Sequence, residues 1–313
     1  MKEHYPNFDW LRLLFALQVV AIHSGAWQHV YISPVAAFIA VSGFVVLSSL
    51  ERSSVTQFFI NRALRVLPLL FASFLALWWL FDYSEMSQTI KFWLLPFVYS
   101  PPAVNAVVWT LFYEEFFYVL LVLLGAVGAY RYRFLSLVFS ALFMGLTIAK
   151  IYFGLPSPFF FFGGAFFIGN AVYLYRQELK CINKWVALVA AFIMVVVVQA
   201  LPYTAVVQPE RAALDFLSFF VILVFAISGP QLPRLYIDLS YSLYLIHCIV
   251  RAELLYYVPI GTVEIFWFML LSSLPICFAS WYLIEKPFLR IKKKIGIWRK
   301  RQQSTIVALN GGS

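Results

Sequence analysis

Residues 13–22, LLFALQVVAI, and 191–200, AFIMVVVVQA, decide the architecture: each is a long apolar run in which one glutamine, Gln18 or Gln199, is the only interruption. A strand in a closed barrel would alternate lipid-facing and lumen-facing residues, whereas an uninterrupted run can satisfy its backbone inside a bilayer only as a helix. Working outward, ten such runs fall near residues 8–29, 34–50, 64–81, 107–129, 134–151, 159–175, 184–201, 212–228, 238–257 and 263–284. At ~20 residues per crossing, they occupy roughly two thirds of the chain and leave no room for a soluble catalytic domain. Composition agrees, with 63% hydrophobic and only 12% charged residues, where a soluble domain carries about 25%.

The formal net charge of +9 does not point to nucleic acid, because no soluble module gathers the basic residues onto one face. Their distribution orients the chain instead. With both termini in the cytoplasm, Lys2, Arg12, Arg52, Arg62, Arg65, Arg131, Arg133, Arg176, Lys180, Lys184, Arg234 and the basic run after Glu285 all fall on the inner side, while Lys91, Lys150, Arg211 and Arg251 fall toward the outer side. The fold expected is an all-α polytopic membrane protein of about ten transmembrane helices. Its parts are a membrane domain over residues 1–290 and a basic cytoplasmic tail over 291–313, suited to an anionic lipid surface. The first span has no small-residue cleavage site and is expected to be retained. Residues 82–106 hold FWLLPFV, an apolar piece too short to cross, expected to lie at the interface or re-enter. Cys181, Cys248 and Cys277 lack metal-type spacing and are read as core packing, with no metal expected.

Ionisable groups inside apolar spans are costly and mark functional candidates. Arg12 and His23 are separated by ~16 Å of helix rise with an angular offset of about 20°, so they share one face. The alternative reading makes Arg12 a snorkelling anchor and His23 an interhelical hydrogen-bond partner. In WTLFYEEFFY, residues 109–118, Thr110, Glu114 and Tyr118 share a stripe, which favours Glu114 over Glu115 for the interior. Ser240, Tyr244, His247 and Arg251 form a polar stripe on the ninth span, lining either a cavity or a tight helix interface. Arg62 and Arg65 lie one turn apart, as fork donors for phosphate or as topology determinants. Together these groups suit acyl transfer: arginines grip the phosphates of a soluble thioester donor, and neutral His23 acts as general base toward an acceptor hydroxyl, oriented by Glu114.

These motifs, taken in order, resemble acyltransferase family 3, integral-membrane O-acyltransferases found mostly in bacteria. Residues 8–23, FDWLRLLFALQVVAIH, are similar to the family's opening segment, a basic residue followed by ten residues and a histidine. FIAVSGFVVLSS with Ser42, Gly43 and Phe44, the Arg62/Arg65 pair, the segment from Trp109 to Tyr118, SYSLYLIH at 240–247 and WYLIEKPF at 281–288 follow in the family's order. The resemblance implies ten helices in a bacterial inner membrane, an acyl-coenzyme A donor, acetyl-coenzyme A in the first instance, and transfer to a saccharide or glycolipid hydroxyl. It carries over Arg12 and His23 as indispensable. We therefore expect His23, Arg12 and Glu114 at the chemistry, Arg62, Arg65 and Ser42 on the donor, and Trp109, Tyr118, Tyr244, His247 and Arg251 toward the acceptor. Arg251 and Glu253 match no family pattern. The rival reading is a polytopic transporter or flippase, whose usual inverted repeats are not evident.

Overall fold

The computed structural model describes residues 4–25, 32–200, 208–255, 257 and 263–291. Among these there are twelve α-helices: α1 (Pro6–Ser24), α2 (Pro34–Leu50), α3 (Val55–Leu80), α4 (Tyr83–Leu94), α5 (Trp109–Ala126), α6 (Phe134–Tyr152), α7 (Pro158–Leu174), α8 (Arg176–Leu179), α9 (Lys184–Ala200), α10 (Pro209–Ser228), α11 (Ser240–Leu254) and α12 (Val263–Ser280). A 3-10 turn at Ala106–Val108 leads into α5, and a π-helical turn at Trp281–Glu285 extends α12. Five stretches are long and apolar enough to cross a bilayer: Val55–Leu80, Ala106–Ala126, Phe134–Tyr152, Pro209–Ser228 and Val263–Ile291; α2, α7 and α9 are shorter apolar helices. The expected tail lies, except for Ile291, outside the described residues.

Local chemistry sets the helix starts. Pro6, Pro34, Pro158 and Pro209 open α1, α2, α7 and α10, where a missing N–H costs nothing and the fixed φ suits a first turn. Ser54 caps α3 by accepting from the Gln57 N–H at 3.3 Å, and Asp82 caps α4 by accepting from the Glu85 N–H at 2.8 Å. Gly25, at φ 72°, adopts the left-handed conformation that closes α1 just beyond His23.

The molecule is turned inside out relative to a soluble protein. Val186, Val189, Phe192 and Ile193 on α9, Leu137, Val138 and Leu142 on α6, and Trp78 and Trp79 on α3 are exposed, whereas Asn7, Asn170, Asp215, His247 and Glu285 are buried. That is the pattern of a polytopic membrane protein, with apolar surface toward lipid and polar groups toward one another. Contacts between ends show that α1 and α2, α6 and α7, and α9 and α10 are antiparallel neighbours. At the basic end, Arg133 pairs with Glu178, Ser228 donates to the Leu179 carbonyl, and Tyr173 donates to Glu51. At the opposite end, Gln18 donates to the Ile32 carbonyl and Arg211 to that of Val198.

The tightest crossing is α2 against α7. A Cβ on Gly43 would strike the carbonyl oxygen of Phe166, and one on Gly169 would strike that of Ala40, so these helices touch backbone to backbone. Backbone atoms cannot swing aside. Gly43→Ala is expected to cost about 1–3 kcal/mol, read as a lower unfolding midpoint in detergent; an unchanged midpoint would show that the helices do not pack this closely.

Two expectations need correction. The third span does not begin near residue 64 but at Val55, because Gln57, Asn61, Arg62 and Arg65 depress the hydropathy of a stretch that is nevertheless helical. Cys181 is exposed, not core, since it follows α8 in a polar turn; Cys248 and Cys277 are buried. The piece around FWLLPFV forms the end of α4 and a turn, packed against α3 and α5.

Candidate active site

A cavity of about 310 Å³ opens between α1, α2, α3, α5 and α11. Its polar lining is Arg12, Ser42, Arg62, Arg65, Thr110, Glu114, Tyr118, Ser240, Tyr241 and Tyr244, with apolar walls from Val35, Phe38 and Leu289 among others.

The basic end of the cavity is organised by Asp238, which precedes α11. Its Oδ2 accepts from Arg12 at 2.9 Å and from Arg65 at 2.6 Å, while Oδ1 accepts from the Ser240 N–H at 3.1 Å and hydroxyl at 2.5 Å. Burial alone would raise its pKa; the two guanidiniums and the Ser240 donors outweigh that and hold the carboxyl well below the usual carboxylate range. Arg65 also faces Glu285 at 3.6 Å, a group presented by the π-helical turn. Asp238 comes within reach because the α10–α11 connection is laced to α1: Asn7 donates to the Pro230 carbonyl and accepts from the Leu232 N–H, and Trp10 donates to the Pro233 carbonyl. Arg62 stands apart. Its Nε is buried without a hydrogen-bond partner among the described residues, and its guanidinium lies 6.0 Å from the centre of the Tyr118 ring.

Midway along the cavity, Glu114 Oε1 accepts from Ser42 Oγ at 2.6 Å and from the Tyr118 hydroxyl. Tyr241 donates to the Val66 carbonyl at 2.9 Å, and Tyr244 donates to that of Val107 while sitting 2.6 Å from Thr110 Oγ1. Beyond this point Val19, Val107, Tyr244 and Cys248 form an apolar cluster, with Val35 and Phe38 packed against it.

His23 lies past that cluster. Its Nδ1 is 2.7 Å from His247 Nε2, with the two rings within 9° of parallel. His247 Nδ1 is 2.9 Å from the Leu243 carbonyl. A carbonyl only accepts, so His247 Nδ1 carries a proton; with both rings neutral, His247 Nε2 then accepts from His23 Nδ1–H. The consequence is that His23 Nε2 keeps its lone pair. The second histidine fixes the tautomer and orientation of the first, as a carboxylate does for the imidazole of a hydrolytic triad.

A family model described as an acyltransferase domain matches residues 5–282, almost the whole chain. The chain belongs to this acyltransferase family. It is also 26% identical over 354 aligned positions, covering 93% of this chain and 95% of the relative, to Nodulation protein 10 of Rhizobium leguminosarum bv. viciae. No solved structure matches. Family membership implies an acyl donor and an acceptor, so an extended cavity with cationic groups at one end is the relevant space.

In this acyltransferase the sequence-derived residues separate into three places. Arg12, Arg62, Arg65, Ser42, Glu114, Tyr118 and Tyr244 line the cavity. His23 and His247 pair with each other behind Tyr244. Trp109 is in neither place, being packed between Tyr113 and Phe162, with ring centres 5.5 and 5.6 Å away. Arg251 follows His247 by one turn, its Nε buried without a partner among the described residues. One expected pairing is absent: the partner of His23 is His247, while Glu114 is committed to Ser42 and Tyr118; Arg12 stands apart from His23, as its spacing requires, and pairs with Asp238. Sequence reasoning missed Asp238 altogether and gave Glu285 no role. One signal was available, an aspartate two residues before the SYSLYLIH stripe, where an Asx side chain naturally receives the first N–H groups of a helix.

Proposed function

We propose that this acyltransferase is a bacterial inner-membrane O-acyltransferase with about ten spans and both termini cytoplasmic, moving an acyl group, acetyl in the first instance, from acyl-coenzyme A to a hydroxyl of a cell-surface or lipid-linked saccharide. The observation that carries the reading is the lone pair left on His23 Nε2, which has no hydrogen-bond partner among the described residues, on the far side of Phe38 and Tyr244 from a cavity lined by guanidiniums. The bacterial relative and the inner-side bias of basic residues support the location.

In this mechanism the donor's phosphates meet Arg62 first, because Arg12 and Arg65 already share Asp238. The thioester arm runs along Ser42, Tyr118 and Tyr241 toward Phe38 and Tyr244, whose rings pack edge to face with centres 5.9 Å apart and must part for the acyl end to reach His23. An acceptor hydroxyl arriving from the Arg251 side gives its proton to His23 Nε2. Its oxygen attacks the thioester carbonyl, the carbon–sulfur bond breaks, and the thiolate leaves with the proton from the imidazolium. The bond to His247 steadies the positive ring while it lasts. Glu114 holds α2 against α5 through Ser42 and keeps Tyr118 under Arg62.

The test is whether purified protein moves labelled acetyl from coenzyme A onto candidate oligosaccharides. Label that never becomes covalently attached would reject the enzyme reading in favour of transport. Arg62→Ala is expected to raise the KM for donor about 10- to 100-fold, the loss of a charge-assisted contact of about 1.5–3 kcal/mol, with kcat little changed. An unaltered KM would move the phosphates elsewhere.

A further inference from the structure

Among the described residues, Cys248 is a buried nucleophilic group beside His23 that the proposed acyl transfer leaves unused. Its Sγ lies 3.3 Å from His247 Nε2 and 3.8 Å from His23 Nδ1, so with the 2.7 Å gap between the nitrogens the three atoms close a triangle. Around a tetrahedral Zn²⁺, with bonds of about 2.0–2.1 Å to nitrogen and about 2.3 Å to sulfur, such a triangle has edges of about 3.3 and 3.6 Å. The sulfur edges already bracket that value. The nitrogen–nitrogen edge must open by about half an ångström, and the two rings, whose nitrogens now point at each other, must swing to aim both lone pairs at one ion as it replaces the proton they share. His247 is also held as a metal-bound histidine is held, its other ring nitrogen donating to a main-chain carbonyl. Thiolate with two imidazoles is a donor set for a borderline-soft cation and not for Mg²⁺ or Ca²⁺.

We infer that His23, His247 and Cys248 form a three-ligand site for Zn²⁺ or a cation of its class, with a fourth position open, and that filling it switches the acyltransferase off. On binding, the Cys248 thiol releases its proton to water and the sulfur becomes a ligand. The His23 proton moves from Nδ1, now bonded to metal, to Nε2. The lone pair that receives the acceptor's proton is then gone. The ligands come from α1 and α11, 224 residues apart, which is why no spacing in the chain announces the site.

The switching half of this inference rests on His23 being the base; the binding half does not, and the experiment separates them. Full-length protein in detergent is titrated with Co²⁺, and thiolate-to-cobalt charge transfer in the near ultraviolet is recorded with the tetrahedral visible bands. Wild-type protein is expected to show both at one equivalent and to lose them to Zn²⁺, and both Cys248→Ala and Cys248→Ser to lack the charge-transfer band. In the transfer assay, equimolar Zn²⁺ is expected to lower wild-type turnover at least 10-fold, reversibly with chelator, while Cys248→Ala keeps its basal rate and resists. Absence of the charge-transfer band in wild type, or its persistence in both variants, overturns the site. A band with turnover unaffected by Zn²⁺ overturns the switch alone. A band in a protein that transfers no acyl group upholds the site and rejects the general-base reading instead.

Discussion

Replacing His23 with alanine is expected to lower kcat for acyl transfer by about 10²- to 10⁴-fold, the usual contribution of a positioned general base, with the donor KM nearly unchanged. The split follows from the geometry. In the proposed mechanism the donor's phosphates and arm lie along a cavity that His23 does not line, so truncating the imidazole would remove the proton acceptor and leave the donor's contacts in place. The alanine variant should also fold. His23 is in the last turn of α1, which Gly25 closes without help from the ring, and the ring's principal polar partner is His247. His247→Ala should reproduce part of the kcat loss, because His23 would then choose its tautomer freely. Steady-state kinetics over a range of donor concentrations is the measurement. A His23 variant that turns over at a tenth of the wild-type rate or better would move the base elsewhere, and a raised KM with normal kcat would make His23 a donor-binding group.

The apolar runs made the membrane helices legible because lipid demands nothing of a helix except length and apolar composition. What stayed hidden is what polar groups do to that signal. α3 begins nine residues before its expected start because its first half faces a cavity and carries Asn61, Arg62 and Arg65 where lipid-facing helices carry leucine. The α4 and α8 helices are too short for any hydropathy window to register as spans. At the site, residues on one helix are readable by periodicity, which groups Thr110, Glu114 and Tyr118, or Tyr244 and His247, from the sequence alone. Partners on different helices are not: Arg12 with Asp238 and His23 with His247 join positions more than 220 apart, and a periodicity argument has no means of pairing stripes across a bundle. That is how Glu114 came to be placed beside His23, as a carboxylate on a stripe of suitable depth; in the fold its oxygen is taken by Ser42 and Tyr118.

Asp238→Ala is expected to be the most damaging single change to the fold, costing about 3–5 kcal/mol, the range for breaking a buried ion pair by removing one partner. The side chains of Asp238, Arg65 and Arg12 are 19%, 16% and 28% exposed, so solvent is poorly placed to take over the lost charge. One carboxylate serves α1 through Arg12, α3 through Arg65 and α11 through the N–H and hydroxyl of Ser240. Removing it leaves two guanidiniums facing each other, with Glu285, 3.6 Å from Arg65, and Asp9, which acts on Arg12, as more distant counter-charges. Asn in place of Asp keeps an acceptor for Ser240 but not the charge, and should recover only part of the loss. Loss of folded monomer on heating in detergent measures the effect, and a midpoint within error of wild type for Asp238→Ala would reject the bridging role. The pH dependence has a definite sign. A carboxyl whose folded pKa is depressed contributes its full stabilisation above the unfolded value, about 3.9, and loses it as pH falls through that region toward the folded one. Between pH 8 and 5 Asp238 therefore adds no slope, and stability lost over that interval would have to come from another group.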